Sequence, residues 1–102
     1  MREIEVRSSG EEVEASAGDR IVIQIPENAT TGYRWVVGEL PDTLQLTEDE
    51  FLPPTSQQPG AGGQRRMTLV ARRPGQARVQ LRLEQPWEGE AAEWFEALVT
   101  VR

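Results

Sequence analysis

The sequence predicts an all-β domain, an antiparallel β-sandwich, and three observations support that prediction. Apolar and polar residues alternate with a period of two along most of the chain, and no segment keeps the 3.6-residue period of an amphipathic helix. Turn residues separate these alternating runs at short spacing. The length of 102 residues suits a single domain, spanning residues 1–102, with one two-layer core.

Seven alternating runs predict strands, each with one apolar face. In chain order they are marked by Ile4 and Val6, then Ile21, Ile23 and Ile25, then 33–37, then Leu44 and Leu46, then Met67, Leu69 and Ala71, then Val79, Leu81 and Leu83, and last Phe95, Ala97, Val99 and Val101. A strand with one apolar face must bury that face against a second layer. The residues expected in the core include Ile21, Ile23, Trp35, Leu69, Val79, Leu81 and Val99.

The composition excludes several classes of chemistry. The chain has no cysteine and no histidine, which rules out disulfides, thiol or imidazole catalysis and ordinary zinc or copper sites. Its formal net charge of -6 argues against binding to nucleic acid or anionic membranes. The glutamates near residues 11–14 and 84–96 match no calcium motif and show no paired acid–base signature. We therefore expect no cofactor, no metal and no enzymatic activity.

The compartment is predicted from the start of the chain and from its hydropathy. No segment approaches the roughly 18 consecutive apolar residues that a membrane-spanning helix needs. The first ten residues, MREIEVRSSG, lack the apolar stretch of a signal peptide. The sequence as it stands predicts a soluble, monomeric, cytoplasmic protein, and removal of a signal peptide before Met1 would make it periplasmic or secreted.

The connections between the predicted strands fall into two sets. Short turns at 16–19, 38–43 and 73–75 have ordinary glycine and proline signals. Three longer connections, at 26–32, 49–63 and 85–92, are every second connection along the chain. Because successive antiparallel strands reverse direction, alternate connections lie at the same end of a sandwich, where binding loops usually cluster. We expect the three long connections to form one surface.

Each long connection contains a distinct motif with two interpretations. The first contains Asn28-Ala29-Thr30-Thr31-Gly32-Tyr33, which is either a polar binding segment or a hairpin turn that needs its asparagine and glycine for geometry. The second contains Gly60-Ala61-Gly62-Gly63, which is either a flexible flap or a backbone surface for close contact. The third contains Gln85-Pro86-Trp87, whose tryptophan is either a binding anchor or a plug over the end of the sandwich.

Taken together and in this order, the three motifs resemble those of the chagasin family of cysteine peptidase inhibitors. That family has an NPTTGY-type first loop, a GxGG second loop and an RPW-type third loop. The resemblance covers essentially the whole chain and implies an immunoglobulin-like antiparallel β-sandwich of seven to eight strands. It also implies reversible, tight-binding inhibition of papain-like cysteine peptidases, with three loops that occlude the active-site cleft.

The resemblance gives each motif a part in that occlusion. Thr30, Thr31 and Gly32 would enter the cleft near the catalytic cysteine and histidine of the peptidase. Residues 60–63 would lie along the cleft by backbone contact, and Trp87 would pack on an aromatic wall of the enzyme. The rest of the implied peptidase-binding set consists of Asn28, Ala29, Tyr33, Gln85 and Pro86.

Two residues depart from the family pattern. Ala29 replaces the family's proline, which loosens the free loop, because proline restricts the unbound ensemble. Gln85 replaces an arginine or lysine, which removes a positive charge and leaves the third connection acidic. Two alternative functions stay open on the sequence: a non-inhibitory immunoglobulin-like module that binds a protein or glycan, and a carboxylate-based enzyme, which would need an active-site-sized pocket.

Overall fold

Two four-stranded sheets make up the described part of the chain. The computed structural model describes residues 1–28, 31–54, 62–87 and 89–102. Its strands are β1 (Glu3–Val6), β2 (Glu11–Ala15), β3 (Arg20–Glu27), β4 (Arg34–Val37), β5 (Leu44–Leu52), β6 (Gly63–Ala71), β7 (Gly75–Glu84) and β8 (Glu93–Val101). The first sheet has the order β1-β3-β6-β5, and the second has the order β2-β8-β7-β4.

One apolar core fills the space between the two sheets, and its members come from alternate positions of the strands. All seven residues predicted for the core are at most 7% exposed, so that prediction is confirmed. Complete burial of one large aliphatic side chain contributes roughly 1.5–3 kcal/mol. The most deeply buried large side chains are Ile21, Ile23, Met67, Leu69, Leu81, Val6, Val79 and Val99.

The prediction of an all-β sandwich with seven to eight strands is confirmed, but its sheets are not antiparallel throughout. β1 pairs with β3 in parallel, and β2 pairs with β8 in parallel. The other four ladders are antiparallel. The reason is that consecutive strands run in opposite directions while the chain crosses between the sheets after β1 and again after β2. β1 therefore pairs with the second strand after it, and β2 with the sixth strand after it. An even number of reversals leaves both strands of each pair running in the same direction.

Two charged segments are strands although their sequence does not predict them. β2 has the sequence EEVEA, with only Val13 and Ala15 packed against the core. β5 continues through an acidic stretch to Leu52, which shortens the second connection from the predicted 49–63 to 53–62. Both strands lie at sheet edges. Charged side chains there face water and discourage pairing with another chain.

β3 is longer than the sequence predicts, because it includes Pro26 and Glu27. Proline cannot donate to a ladder and usually marks the end of a central strand. β1 pairs with residues 20–23 of β3, so Pro26 lies beyond the end of that ladder. On its other side β3 stays paired with β6 as far as Glu27 opposite Gly63. The first connection therefore begins at residue 28 rather than at residue 26.

Asp19 closes the turn at 16–19, which joins β2 to β3. Its carboxylate accepts hydrogen bonds from the backbone N–H groups of Ser16 and Arg2, both at 2.9 Å. The side chain is 9% exposed, and one of its oxygens lies 3.7 Å from Nε of Arg2. The hydrogen bond from Ser16, with that from Arg2, holds the pKa of Asp19 below its ordinary value of 3.8.

This lowered pKa predicts a specific acid sensitivity. The stabilisation from ionised Asp19 is complete above pH 3.8, the unfolded-state value, and is lost as the pH falls through the lower pKa of the folded state. We expect Asp19→Asn to reduce the melting temperature at pH 7 and to flatten the decline in stability below pH 3.8. Asp42→Asn is the control, because that side chain is 90% exposed. Parallel stability curves for the parent and Asp19→Asn would contradict the prediction.

Candidate functional site

The strand ends that flank the three long connections lie at one end of the sandwich, as the sequence predicts. They are the first loop (28–33), the second loop (53–62) and the third loop (85–92), and together they are called the loop end. Glu27 pairs with Gly63, which brings the first and second loops together. Arg34 pairs with Glu84, which brings the first and third loops together. Four residues of the predicted site lie outside the described residues: Ala29, Thr30, Gly60 and Ala61.

The described part of the first loop is held by its own hydrogen bonds. The hydroxyl of Thr31 donates to the carbonyl of Asn28 at 2.8 Å, and the N–H of Tyr33 donates to that hydroxyl at 3.3 Å. Asn28 and Thr31 are exposed, whereas Tyr33 is half-buried. The turn interpretation and the binding interpretation are thus compatible, because the same polar residues shape the turn and face solvent.

Among the described residues, two contacts join the first loop to the third. Nε2 of Gln85 donates to the backbone carbonyl of Thr31 at 3.1 Å. The indole of Trp87 lies against Gly32, and a Cβ at that glycine would come within 2.8 Å of ring atom Cη2. Gly32 also has a φ of 79°, which other residues rarely adopt. Position 32 therefore requires a glycine for two reasons: the backbone conformation there, and the tryptophan that packs on it.

Trp87 is an exposed side chain and does not cover the core. It is 70% exposed, so the plug interpretation is wrong. Its contact with Gly32 leaves most of the indole open to solvent. Pro86 is exposed as well, and Gln85 is half-buried where it meets the first loop. The third loop thus presents an apolar side chain whose orientation is constrained by its neighbour.

The two described glycines of the second motif lie in different environments. Gly62 is exposed, and a Cβ there would meet nothing within 4 Å. Gly63 is buried as the first residue of β6, and a Cβ there would collide with the carbonyl oxygen of Leu52 and the ring of Phe51. Close packing explains Gly63. The residues that would distinguish a flexible flap from a contact surface in the second loop lie outside the described ranges.

Sequence reasoning missed a buried ion pair at the loop end. Glu27 and Arg65 have side chains that are 2% and 14% exposed, with 2.8 Å between Oε2 and an Nη of the arginine. Burial alone would lower the pKa of Arg65, but its hydrogen bonds and charge pairing with Glu27 and Asp49 raise it overall, so the guanidinium stays charged. The two residues are 38 positions apart in sequence, and only the pairing of β3 with β6 brings them together.

Two kinds of feature are absent from the described residues. Within the ranges given above, no group of three or more acidic side chains could hold a metal ion. The same part of the chain contains no helix long and apolar enough to cross a bilayer. What the loop end does present is a set of small, polar and glycine residues beside one exposed indole. Such a surface is suited to contact with another macromolecule.

Comparisons with known proteins agree with one another: the chain is similar to peptidase inhibitors. The family described as "Chagasin family peptidase inhibitor I42" matches residues 14–100. Chagasin from Trypanosoma cruzi is 31% identical over 86 residues, covering 79% of this chain and 78% of that protein. The cysteine protease inhibitor EhICP2 from Entamoeba histolytica superposes with a TM-score of 0.88 at 24% identity, covering 99% of this chain and 96% of that one. PbICP-C, solved in complex with falcipain-2, gives a TM-score of 0.73 at 16% identity and full coverage of both chains.

Proposed function

This chain belongs to the chagasin family of peptidase inhibitors, and from that premise we propose that it inhibits papain-like cysteine peptidases by occluding their active-site cleft with the three loops. The resemblance found in the sequence is thereby confirmed, and so is the expectation of an inhibitor rather than an enzyme. The described motif residues Thr31, Gly32, Gly62 and Trp87 are the proposed contacts. No peptide bond is offered for cleavage, and no covalent adduct is required.

The observation that supports this proposal most strongly is the exposed indole of Trp87 held against Gly32. Buried tryptophans are frequent hot spots in protein interfaces, where they fill a pocket on the partner. Because Gly32 restrains one side of the ring, less conformational freedom is lost on binding than for a free side chain. A restrained, 70% exposed tryptophan in a small acidic domain is well suited to a protein partner.

The hydrogen bond between Gln85 and Thr31 supports the same function. It joins the first loop to the third, so the two loops can enter a cleft as one unit. The family's arginine or lysine is replaced here by a neutral amide that still donates a hydrogen bond. The loss of charge therefore leaves this connection between loops in place. Small residues at 31 and 32 allow the backbone to approach the floor of a cleft closely.

The direct test is inhibition of papain and a panel of papain-like peptidases by the purified protein. We expect competitive, stoichiometric inhibition that is reversed when the complex dissociates. The protein should also bind papain whose catalytic cysteine carries a small blocking group, because occlusion needs no bond to sulfur. Full substrate turnover by every enzyme in the panel at saturating protein would overturn the proposal and favour the non-inhibitory binding module.

A methyl group at Gly32 is expected to impair both folding and inhibition. Gly32→Ala places an alanine in left-handed backbone, which costs about 1–2 kcal/mol, and pushes the added carbon into Trp87. Gly10→Ala is the matched control, because that glycine has a φ of 93° and open space around it. We expect both variants to lose similar stability in chemical denaturation, and only Gly32→Ala to inhibit papain more weakly. Equal inhibition by the two variants would contradict the role of the Gly32–Trp87 contact.

A further inference from the structure

The carboxylate of Glu27 joins the two stems of the first loop across the sheets. Glu27 is the last residue of β3 in the first sheet, and Trp35 lies in β4 of the second sheet. Oε1 of Glu27 accepts the backbone N–H of Trp35 at 2.6 Å. The indole N–H of Trp35 donates in turn to the carbonyl of Pro26 at 3.0 Å. The loop at 28–33 therefore leaves and re-enters the sandwich at points fixed by these bonds.

Arg65 extends the same network to both stems of the second loop. Its Nε and one Nη donate to the two oxygens of Glu27 at 3.2 and 2.8 Å. The other Nη donates to Asp49 of β5 at 3.2 Å, and the guanidinium lies 5.9 Å from the centre of the Phe51 ring. β5 leads into the second loop and β6 leads out of it. One arginine thus ties both strands that flank the second loop to the carboxylate beneath the first.

The burial of this pair is unusual within the described chain. The pair formed by Arg102 and Glu14 is typical of the others, with side chains 72% and 64% exposed. Buried ion pairs are weak evidence for stability, because desolvation offsets much of their attraction and apolar pairs often replace them without loss. What a buried, hydrogen-bonded pair does impose is a fixed geometry between the elements that it joins.

We propose that Glu27 and Arg65 are positioning residues for inhibition, which set the relative placement of the first and second loops so that both enter the cleft together. This inference rests on the proposed function. The two side chains are 2% and 14% exposed, so we expect them to act through the loops and not by contact with the peptidase. Without these two side chains, a smaller fraction of the free protein would hold its loops in the binding arrangement. The apparent affinity would fall in proportion to that fraction.

The test compares Glu27→Gln with the parent protein in rapid-mixing kinetics against papain. The glutamine keeps the size of the side chain and its oxygen can still accept from Trp35, but its –NH2 group then faces the Nη donor of Arg65. If the competent arrangement falls to about one-tenth of molecules, the apparent dissociation constant rises roughly tenfold. We expect the association rate to fall by this factor. The dissociation rate should be nearly unchanged, because the peptidase holds the loops once they are bound.

Asp19→Asn is the matched control for a merely structural role. It also removes a hydrogen-bonded carboxylate, but in the turn at 16–19, far from the loop end. At a temperature well below melting, this variant should associate with papain at the parental rate despite its lower melting temperature. A Glu27→Gln protein that melts lower but associates at the parental rate would overturn the inference. Arg65→Lys, which keeps the charge but replaces the planar guanidinium fork that bonds Glu27 and Asp49 with a single ammonium, should slow association as well.

A second measurement, on the free protein, separates this inference from the proposed function. Hydrogen exchange of the Thr31 and Trp35 amides should be faster in Glu27→Gln than in the parent, because a neutral side chain that Arg65 no longer holds on both sides lets the bond to Trp35 open more often. Unchanged exchange at both amides would overturn the positioning role. If the parent protein inhibits no peptidase, the proposed function fails, and the exchange result still decides whether Glu27 orders the first loop.

Discussion

Replacing Trp87 with alanine is expected to weaken inhibition of papain about 30-fold, which corresponds to roughly 2 kcal/mol for the loss of an interface hot spot. The melting temperature should stay close to that of the parent, because Trp87 is 70% exposed and lies outside the apolar core. Inhibition titrations and thermal unfolding of the same preparations provide the two measurements. If Trp87 is a binding anchor, inhibition should weaken and the melting temperature should not change.

Trp94→Ala is the control for this experiment. Trp94 is 61% exposed, comparable with Trp87, but it lies in β8 on the outer face of the second sheet rather than in a loop. Its replacement should leave inhibition unchanged. If both variants inhibit as the parent does, the third loop does not anchor the complex. A lowered melting temperature for Trp87→Ala with intact inhibition would equally contradict the anchor.

Trp35→Ala is expected to lower the free energy of unfolding by about 3–5 kcal/mol, the usual cost of removing a large aromatic side chain from a core. Trp35 is 7% exposed, and its ring meets Phe95 edge to face at 6.4 Å between centroids. The substitution also leaves the carbonyl of Pro26 without its indole donor. The loss is a large share of the 5–15 kcal/mol that stabilises a typical domain.

Trp35→Phe separates the two contributions to that loss. Phenylalanine keeps much of the apolar contact but cannot donate to Pro26, and the loss of one such hydrogen bond costs about 0.5–1.5 kcal/mol. Urea unfolding followed by circular dichroism gives the free energies of all three proteins. The expected order is parent, Trp35→Phe, then Trp35→Ala. A Trp35→Ala protein that unfolds at the same urea concentration as the parent would show that this tryptophan is not part of the core.

The apolar strands could be predicted from the sequence because burial imposes a period of two on them. Val79 and Leu81 alternate with arginine and glutamine, and the structure buries both. β2 could not be predicted in this way, since at a sheet edge Val13 and Ala15 among glutamates suffice. Its parallel partner β8 lies more than 80 residues away, with Val13 opposite Val99. No local pattern encodes a pairing of that range.

The candidate site, like the fold, could be predicted only in part. The loop motifs could be predicted, because glycine, proline and a tryptophan at a loop tip are local signals, but only the structure decides that Trp87 is exposed and does not cover the sandwich end. The Glu27–Arg65 pair could not, because each residue alone resembles an ordinary surface charge. Pro26 misled the strand assignment for a related reason. Its missing N–H matters only on the side where β1 has already ended.

Both chain ends lie beside the turn at 16–19, on the side of the sandwich away from the loops. The N–H of Arg2 bonds to Asp19, and the N–H of Arg102 donates to the carbonyl of Ala15 at 2.9 Å. A linker attached at either terminus would therefore leave the loops unobstructed. Two copies joined head to tail by a flexible linker could each hold a peptidase molecule, and on a surface dense with the enzyme the pair would gain avidity without any new contact.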